Sequence, residues 1–142
     1  MKKFLVLGGK PIATLDIINY AKSKGLYVIV TDYLSVEQSQ GKKIADEYWC
    51  YSTSEVEKIV NRARNEGVSG IFTGVHEYNI VQCQSICKKL NLPFYASYDN
   101  LYISSKKNLY KNIFKNNKIK IIEDYVIDDN SIDNNIEYPI IL

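Results

Sequence analysis

Five short apolar runs alternate with helical patterns between residues 3 and 95, and this alternation constrains the fold more than any other feature. The first run, residues 3–7, ends in Gly8-Gly9 and is typical of a strand buried on both faces. Further runs predict strands at 26–31, 46–51, 70–74 and 92–95. Strands that alternate with amphipathic helices over short connections predict an α/β fold, a Rossmann-like open parallel sheet with helices on both faces.

The predicted helices carry start, stop and packing signals. The first starts at Pro11, stops at Gly25, and has one apolar face, formed by Ile12, Leu15, Ile18 and Ala21. The second has Ser54 and Glu57 at capping-box spacing and ends at Gly67. The third begins near Glu77. Its apolar stripe contains Cys83 and Cys87, which favours core packing over metal binding.

Past residue 100 the pattern changes. Residues 106–120 are basic and predict a helix with one apolar face, formed by Leu109, Tyr110, Ile113 and Phe114. More strands are predicted at 121–127 and 138–142, on either side of a polar loop. An apolar run at the end of a domain would leave a sticky edge, so we expect the natural chain to continue after Leu142.

Composition and charge exclude several classes of protein. A formal net charge of +2 gives no sign of a nucleic-acid partner. The chain has no apolar run long enough for a signal peptide or a membrane helix. Three cysteines, an odd number without zinc-type spacing, predict neither a disulfide framework nor a metal site. We therefore expect a cytoplasmic protein.

Ligands of open parallel sheets collect at the carboxyl ends of the strands. Four groups of residues are predicted there: Gly8-Gly9-Lys10, Asp32, Thr73-Gly74 and His76-Glu77-Tyr78-Asn79. Gly8 and Gly9 can bring backbone amides close to a phosphate, although a purely structural turn is the commoner case. The full dinucleotide-binding glycine fingerprint is absent, because Pro11 and Ala13 occupy its later positions.

The polar residues of this edge have two interpretations each. Asp32, 24 residues after Gly8, can accept hydroxyl hydrogen bonds from a ribose, or it can be a solvated or capping aspartate. Glu77 and Asn79 can pair with the amine and carboxyl of a small substrate. Alternatively, Glu77 simply favours a helix N-terminus and Asn79 is a surface residue. His76 is the only histidine, and without an identifiable partner it is interpreted as structural.

These motifs together resemble the domain that precedes the nucleotide-binding domain in ATP-grasp ligases, especially carbamoyl-phosphate-synthetase-like members. The resemblance rests on four passages: 8–11, 31–33, 41–46 and 73–79. The later order is also similar to that family: Lys106-Lys107, a helix, Asn117-Lys118-Ile119, then Tyr138-Pro139 and an apolar run. Lys10, Lys106 and Lys118 depart from the family pattern, which leaves the substrate class and the register of Lys106 against Lys107 open.

The resemblance implies that residues 1–104 form the pre-ATP-grasp domain and that 105–142 begin a truncated ATP-grasp domain. It implies a parent ligase that uses ATP and magnesium to make an acyl phosphate from a carboxylate, which an amine or thiol then attacks. Carried over by position, the substrate-binding residues are Gly8, Gly9, Asp32, Thr73, Gly74, Glu77 and Asn79. Lys107 would contact ATP, and the fragment itself is expected to hold no catalytic residue and to be inactive.

The resemblance implies two kinds of partner: small-molecule carboxylate and amine substrates, and the missing C-terminal ATP-grasp domain. Formation of a homodimer remains possible. ATP and magnesium belong to the parent protein, and the fragment alone is not expected to bind them tightly. Two alternatives remain: an NAD(P)-type dinucleotide-binding domain and a non-enzymatic small-molecule-binding domain. The second would be favoured if the natural chain ended at Leu142.

Overall fold

The computed structural model describes residues 1–122, and the chain divides into two compact units, Met1–Tyr102 and Ile103–Leu142. The first unit contains four strands: β1 (Lys3–Leu7), β2 (Tyr27–Thr31), β3 (Glu47–Trp49) and β4 (Val68–Thr73). Its helices are α1 (Ile12–Ser23), α2 (Gln40–Ile44), α3 (Val56–Asn65) and α4 (Glu77–Leu90). The division falls within α5 (Tyr98–Ser105), and α6 (Lys107–Asn116) belongs to the second unit.

The four strands form one parallel sheet in the order β3-β2-β1-β4. Leu7, the last residue of β1, lies opposite Thr31 of β2 and Thr73 of β4, so these three strands end at one edge. We call this edge the carboxyl edge and the opposite one the amino edge. The predicted α/β fold with an open parallel sheet is confirmed.

Side chains of each strand alternate between two apolar layers, as the pleat requires. Leu5 and Leu7 of β1 pack into a cluster with residues of α3 and α4, whereas Val6 packs into a second cluster with Ile18 and Ala21 of α1. Helices therefore cover both faces of the sheet. The predicted core position of Cys83 and Cys87 is confirmed, since both are fully buried in the first cluster.

The predicted fifth strand at 92–95 is wrong, because these residues form no strand. Helix α4 ends at Leu90, and its C-cap residue Asn91 has a φ of 55°, which reverses the chain. The Leu92 amide then donates to the Cys87 carbonyl at 2.9 Å. Leu92 and Phe94 pack against the first apolar cluster instead. The apolar run that indicated a strand is therefore explained by residues that pack just past the end of a helix.

Two predicted helix details are also wrong. Ser54 does not cap α3: Glu55 occupies the N-cap position, and its carboxylate accepts a hydrogen bond from the Ser52 amide at 2.8 Å. Ile12 is 80% exposed, because the buried stripe of α1 is Thr14, Ile18 and Ala21. The irregular region before β3 also contains α2, which the apolar pattern did not indicate.

In the second unit, α6 confirms a helix within the predicted range 106–120, although it is shorter. Its end is closed by Lys118 at φ 57° and by a hydrogen bond from the Ile119 amide to the Phe114 carbonyl.

The predicted strand at 138–142 and most of that at 121–127 lie outside the described residues. Within residues 1–122, no helix is both long enough and apolar enough to cross a membrane.

Candidate functional site

An open cleft of about 610 Å³ lies at the carboxyl edge, beside the ends of β1 and β4. Its walls are Leu7, Gly8, Pro11 and residues 74–79. Pro11 is the N-cap of α1 and His76 is the N-cap of α4, so two helix N-termini open onto the cleft. Unpaired amides and the helix dipole make such ends favourable for an anionic group.

Four of the seven predicted substrate residues line this cleft: Gly8, Gly74, Glu77 and Asn79. Gly8 has φ 84°, and a Cβ added to it would lie 3.0 Å from Asn79 Nδ2. The Thr53 hydroxyl donates to Asn79 Oδ1 at 2.8 Å, which orients the amide and turns its nitrogen towards Gly8. Thr53 lies 26 residues away in sequence, and no local pattern pointed to it.

The other three predicted substrate residues, Gly9, Asp32 and Thr73, are buried and are not part of the cleft wall. The Thr73 hydroxyl donates to the Leu7 carbonyl at 3.1 Å and so ties β4 to β1 at the carboxyl edge. A contact of these three residues with a substrate remains a prediction.

Asp32 is only 5% exposed, and both of its carboxylate oxygens are occupied. Oδ1 accepts from the Leu34 amide at 3.0 Å and from Lys42 Nζ at 3.0 Å. Oδ2 accepts from the Gly9 amide and the Ser39 hydroxyl, each at 2.8 Å. A carboxylate offers about four lone-pair sites, so this geometry leaves none for a ribose hydroxyl.

The amides of the glycine turn are also engaged. The Gly8 amide donates to the Thr31 carbonyl at 2.9 Å, and the Gly9 amide donates to Asp32. Neither amide therefore faces a phosphate in this arrangement. The geometry favours the structural interpretation of Gly8-Gly9, with the helix N-termini as the anion-favouring element of the cleft.

Lys42 is a buried residue that the sequence reasoning placed in a family motif without assigning it a role. It is 3% exposed, and its ammonium contacts Asp32 and the backbone carbonyls of Asp32 and Leu34. A lysine on a short helix is ordinarily exposed to solvent. The burial of Lys42 is evident only in the structure, where its ammonium contacts Asp32, ten residues earlier.

Two further groups belong to the surroundings of the cleft. His76 is exposed and makes no side-chain hydrogen bond to the first turn of α4. Below the cleft, the Thr14 hydroxyl is buried without a hydrogen-bond partner, and a Cβ added to Gly74 would lie 3.9 Å from it. Among residues 1–122, no three acidic, histidine or cysteine side chains are grouped so as to hold a metal ion.

Lys107, the predicted ATP contact, is the exposed first residue of α6 in the second unit. Lys115, eight residues further along the same helix, is exposed as well. Lys106 occupies the N-cap position of α6. A contact of either lysine with ATP remains a prediction.

Comparison with known proteins found solved structures that resemble this chain. No protein-family model and no curated protein sequence matches the chain. Among solved structures, N5-carboxyaminoimidazole ribonucleotide synthetase from Thermotoga maritima is 24% identical with a TM-score of 0.65, over 87% of this chain and 33% of that chain. Phosphoribosylglycinamide synthetase from Anaerococcus prevotii is 22% identical with a TM-score of 0.65, over 82% and 29%.

L-amino acid ligase from Bacillus licheniformis is 17% identical with a TM-score of 0.65, over 83% of this chain and 30% of that chain. The chain shares its fold with the N-terminal region of these structures. At these identities the likeness is one of fold. The chain spans about a third of the length of the structures that it matches.

Proposed function

We propose that this chain is the substrate-side N-terminal domain of an ATP-dependent carboxylate–amine or carboxylate–thiol ligase that acts through an acyl phosphate. The observation that carries the proposal is the cleft at the carboxyl edge, where two helix N-termini meet Gly8, Gly74, Glu77 and Asn79. The fold shared with ATP-grasp ligases supports the same proposal. The fragment itself supplies binding and no catalysis.

The chemistry of the cleft suits a small zwitterion or an anionic substrate. Helix N-termini favour a carboxylate or phosphate group, and the exposed carboxylate of Glu77 can pair with an amine. The amide nitrogen of Asn79 is held in place by Thr53 and can donate to a substrate oxygen. These groups bind and orient a substrate, and the activating phosphoryl group would come from ATP.

ATP and magnesium belong to the proposed parent enzyme. Among the described residues, Lys107 offers one ammonium for a phosphate, but no cluster of carboxylates fits a magnesium ion. The metal ligands and most ATP contacts are therefore assigned to residues outside the described part of the chain. We also propose that the protein is cytoplasmic and that residues 105–142 begin the ATP-grasp domain. A homodimer remains open.

The experiment that tests the proposal is to read the native gene beyond the codon for Leu142 and to express the protein that it encodes. A following lysine, a glycine-rich loop and later paired acidic residues are expected, together with ADP release that requires both a carboxylate and an amine or thiol. A stop codon at that point contradicts the ligase proposal and leaves a small-molecule-binding domain.

Variants of the parent protein then separate the two proposed sites. Glu77→Gln and Asn79→Ala should raise the KM for the substrate bound in the cleft and leave the KM for ATP unchanged. Lys107→Ala should raise the KM for ATP, whereas Lys115→Ala on the same helix is the matched control. Equal effects of Lys107→Ala and Lys115→Ala would remove the ATP assignment.

The dinucleotide alternative is tested with the fragment alone. It requires a free Asp32 carboxylate and free glycine amides, and these groups are already engaged. NAD or NADP at about 100 times its Kd would stabilise a binding protein by roughly 2.7 kcal/mol. We expect no such rise in Tm.

A further inference from the structure

We propose that Asp32 and Lys42 are a positioning pair: a buried ion pair that sets the shape of the cleft through the backbone of Gly9, without touching the substrate. The inference rests on the proposed function for the identity of the ligand. It extends that function by replacing a predicted substrate contact with an indirect role, and by adding Lys42.

The first step is the link from Asp32 to the glycine turn. The Gly9 amide donates to Asp32 Oδ2 at 2.8 Å, across 23 residues of sequence. A hydrogen bond to an ionised acceptor is roughly twice as strong as one between neutral groups. The orientation of the peptide group between Gly8 and Gly9 therefore depends on the charge of Asp32.

The second step is the pairing of Lys42 with that carboxylate. A buried carboxylate is costly unless it is paired and hydrogen-bonded. The Lys42 side chain is 0% exposed, and its ammonium lies 3.0 Å from Asp32 Oδ1. Its other two close oxygen partners are the carbonyls of Asp32 and Leu34, so each ammonium hydrogen has an acceptor.

The third step is a second hydrogen bond to the same glycine, Gly9. The Gly9 carbonyl accepts a hydrogen bond from the Gly41 amide at 2.8 Å. A Cβ added to Gly41 would lie 2.8 Å from Gly9 Cα, so the two backbones are in direct contact. The segment that carries Asp32, Gly41 and Lys42 therefore holds Gly9 by both its amide and its carbonyl.

The last step connects the turn to the cleft. Gly8 and Pro11 both line the cleft, and Gly9 lies between them. Pro11 is the N-cap of α1, so a rotation at Gly9 would shift the wall and the first turn of α1 together. Asp32 and Lys42 thus affect ligand binding although neither lines the cleft.

Asp46 provides a matched control within the same chain. Its carboxylate pairs with Lys22 at 2.8 Å and accepts from the Val28 amide at 2.8 Å, much as Asp32 pairs with Lys42 and accepts from Gly9. Val28 lies near the start of β2, whereas Asp32 directly follows its end. Asp46→Asn therefore removes a paired carboxylate charge from a more exposed place, far from the glycine turn.

The test uses nuclear magnetic resonance on the 142-residue chain, with variants Asp32→Asn, Lys42→Met and Asp46→Asn. One readout is hydrogen exchange at the Gly9 amide relative to the β1 amides, together with the Gly9 amide proton shift. The other is a titration with inorganic phosphate as the anionic probe, followed at the amides of residues 74–79. Ser39→Ala removes one hydrogen bond to Asp32 and keeps the ion pair, so it repeats the test in a variant that is expected to fold.

We expect Asp32→Asn and Lys42→Met to speed Gly9 exchange by at least about tenfold relative to β1, as for the loss of one charge-assisted hydrogen bond. Phosphate affinity should fall in parallel, Ser39→Ala should give a smaller change of the same kind, and Asp46→Asn should leave both readouts as in the wild type. Exchange that accelerates equally at Gly9 and β1 in all variants would overturn the positioning role. If the wild type shows no phosphate response, the anionic substrate of the proposed function fails, while Gly9 exchange still decides this inference.

Discussion

The two edges of the sheet hold their charges in different ways. At the amino edge, Glu66 bridges Lys3 at 3.0 Å and Arg62 at 2.8 Å, and Arg62 also reaches Glu47 at 2.9 Å. These side chains remain 21–37% exposed. At the carboxyl edge, the side chains of Asp32 and Lys42 are 7% and 0% exposed.

The amino edge therefore holds a partly exposed network of ion pairs, whereas the carboxyl edge holds one buried ion pair. The amino-edge network ties β1, β3 and α3 together, and Arg62 also stacks over the Trp49 ring at 4.7 Å. Exposed ion pairs of this kind are screened by water and contribute about 0–1 kcal/mol each. The buried pair has no water to replace a lost partner, so each of its groups depends on the other.

Removing the buried ammonium is expected to have the largest effect. Lys42→Met should lower the free energy of unfolding by about 3–5 kcal/mol, because it leaves Asp32 buried without its counter-charge. Glu66→Gln at the amino edge should cost less than about 1 kcal/mol. Urea unfolding measures both, and equal costs would show that the two edges do not differ as described.

The contact between the two glycine backbones should give the next largest effect. The Cβ in Gly41→Ala would meet Gly9 Cα at 2.8 Å and its carbonyl oxygen at 2.9 Å, and neither backbone atom can move aside alone. A cost of about 1–3 kcal/mol is typical of such overpacking. Gly74→Ala is the control, since its Cβ has ordinary van der Waals contact, and a similar loss there would argue against this close approach.

The buried hydroxyl of Thr14 should give a gain. Thr14→Val replaces an unpaired buried polar atom by an apolar group of the same shape, so unfolding should require about 1 kcal/mol more. Thermal unfolding measures the change. A destabilised Thr14→Val variant would indicate that the hydroxyl is hydrogen-bonded in solution.

The smallest expected effect concerns pH at the amino edge. Burial acts to raise the pKa of Glu66, but hydrogen bonds from Arg62 and Lys3 outweigh it, and the pKa lies below its usual value. The contribution of Glu66 to stability is therefore complete above about pH 4.3, the usual value for glutamate, and is lost as the pH falls through the lower folded pKa. Glu66→Gln should flatten the loss of stability in acid.

The control for this pH effect is Glu57→Gln, because the Glu57 side chain is 70% exposed. Urea unfolding at several pH values between roughly 5 and 2 compares the two variants with the wild type. If both variants follow the wild-type curve, the amino-edge network does not contribute to acid sensitivity.

Local patterns were sufficient for most of the fold. The apolar runs found all four strands, and the stops at Gly25 and Gly67 agree with their positive φ values of 74° and 67°. The prediction of a fifth strand was wrong because an apolar run that packs past the end of a helix has the same pattern as a short buried strand. The helix α2 was missed because five residues are too few for a periodic signal.

The sequence by itself determined that the chain forms a parallel α/β sheet, and that Gly8, Gly74, Glu77 and Asn79 would meet at its carboxyl edge. That follows from periodicity and from the direction of parallel strands, which are local properties. Only the tertiary structure decided that Asp32 is occupied, that Lys42 is buried beside it, and that Thr53 orients Asn79. The physical reason is that these hydrogen bonds join groups 10 to 26 residues apart, and burial makes each of them depend on packing that no local pattern records.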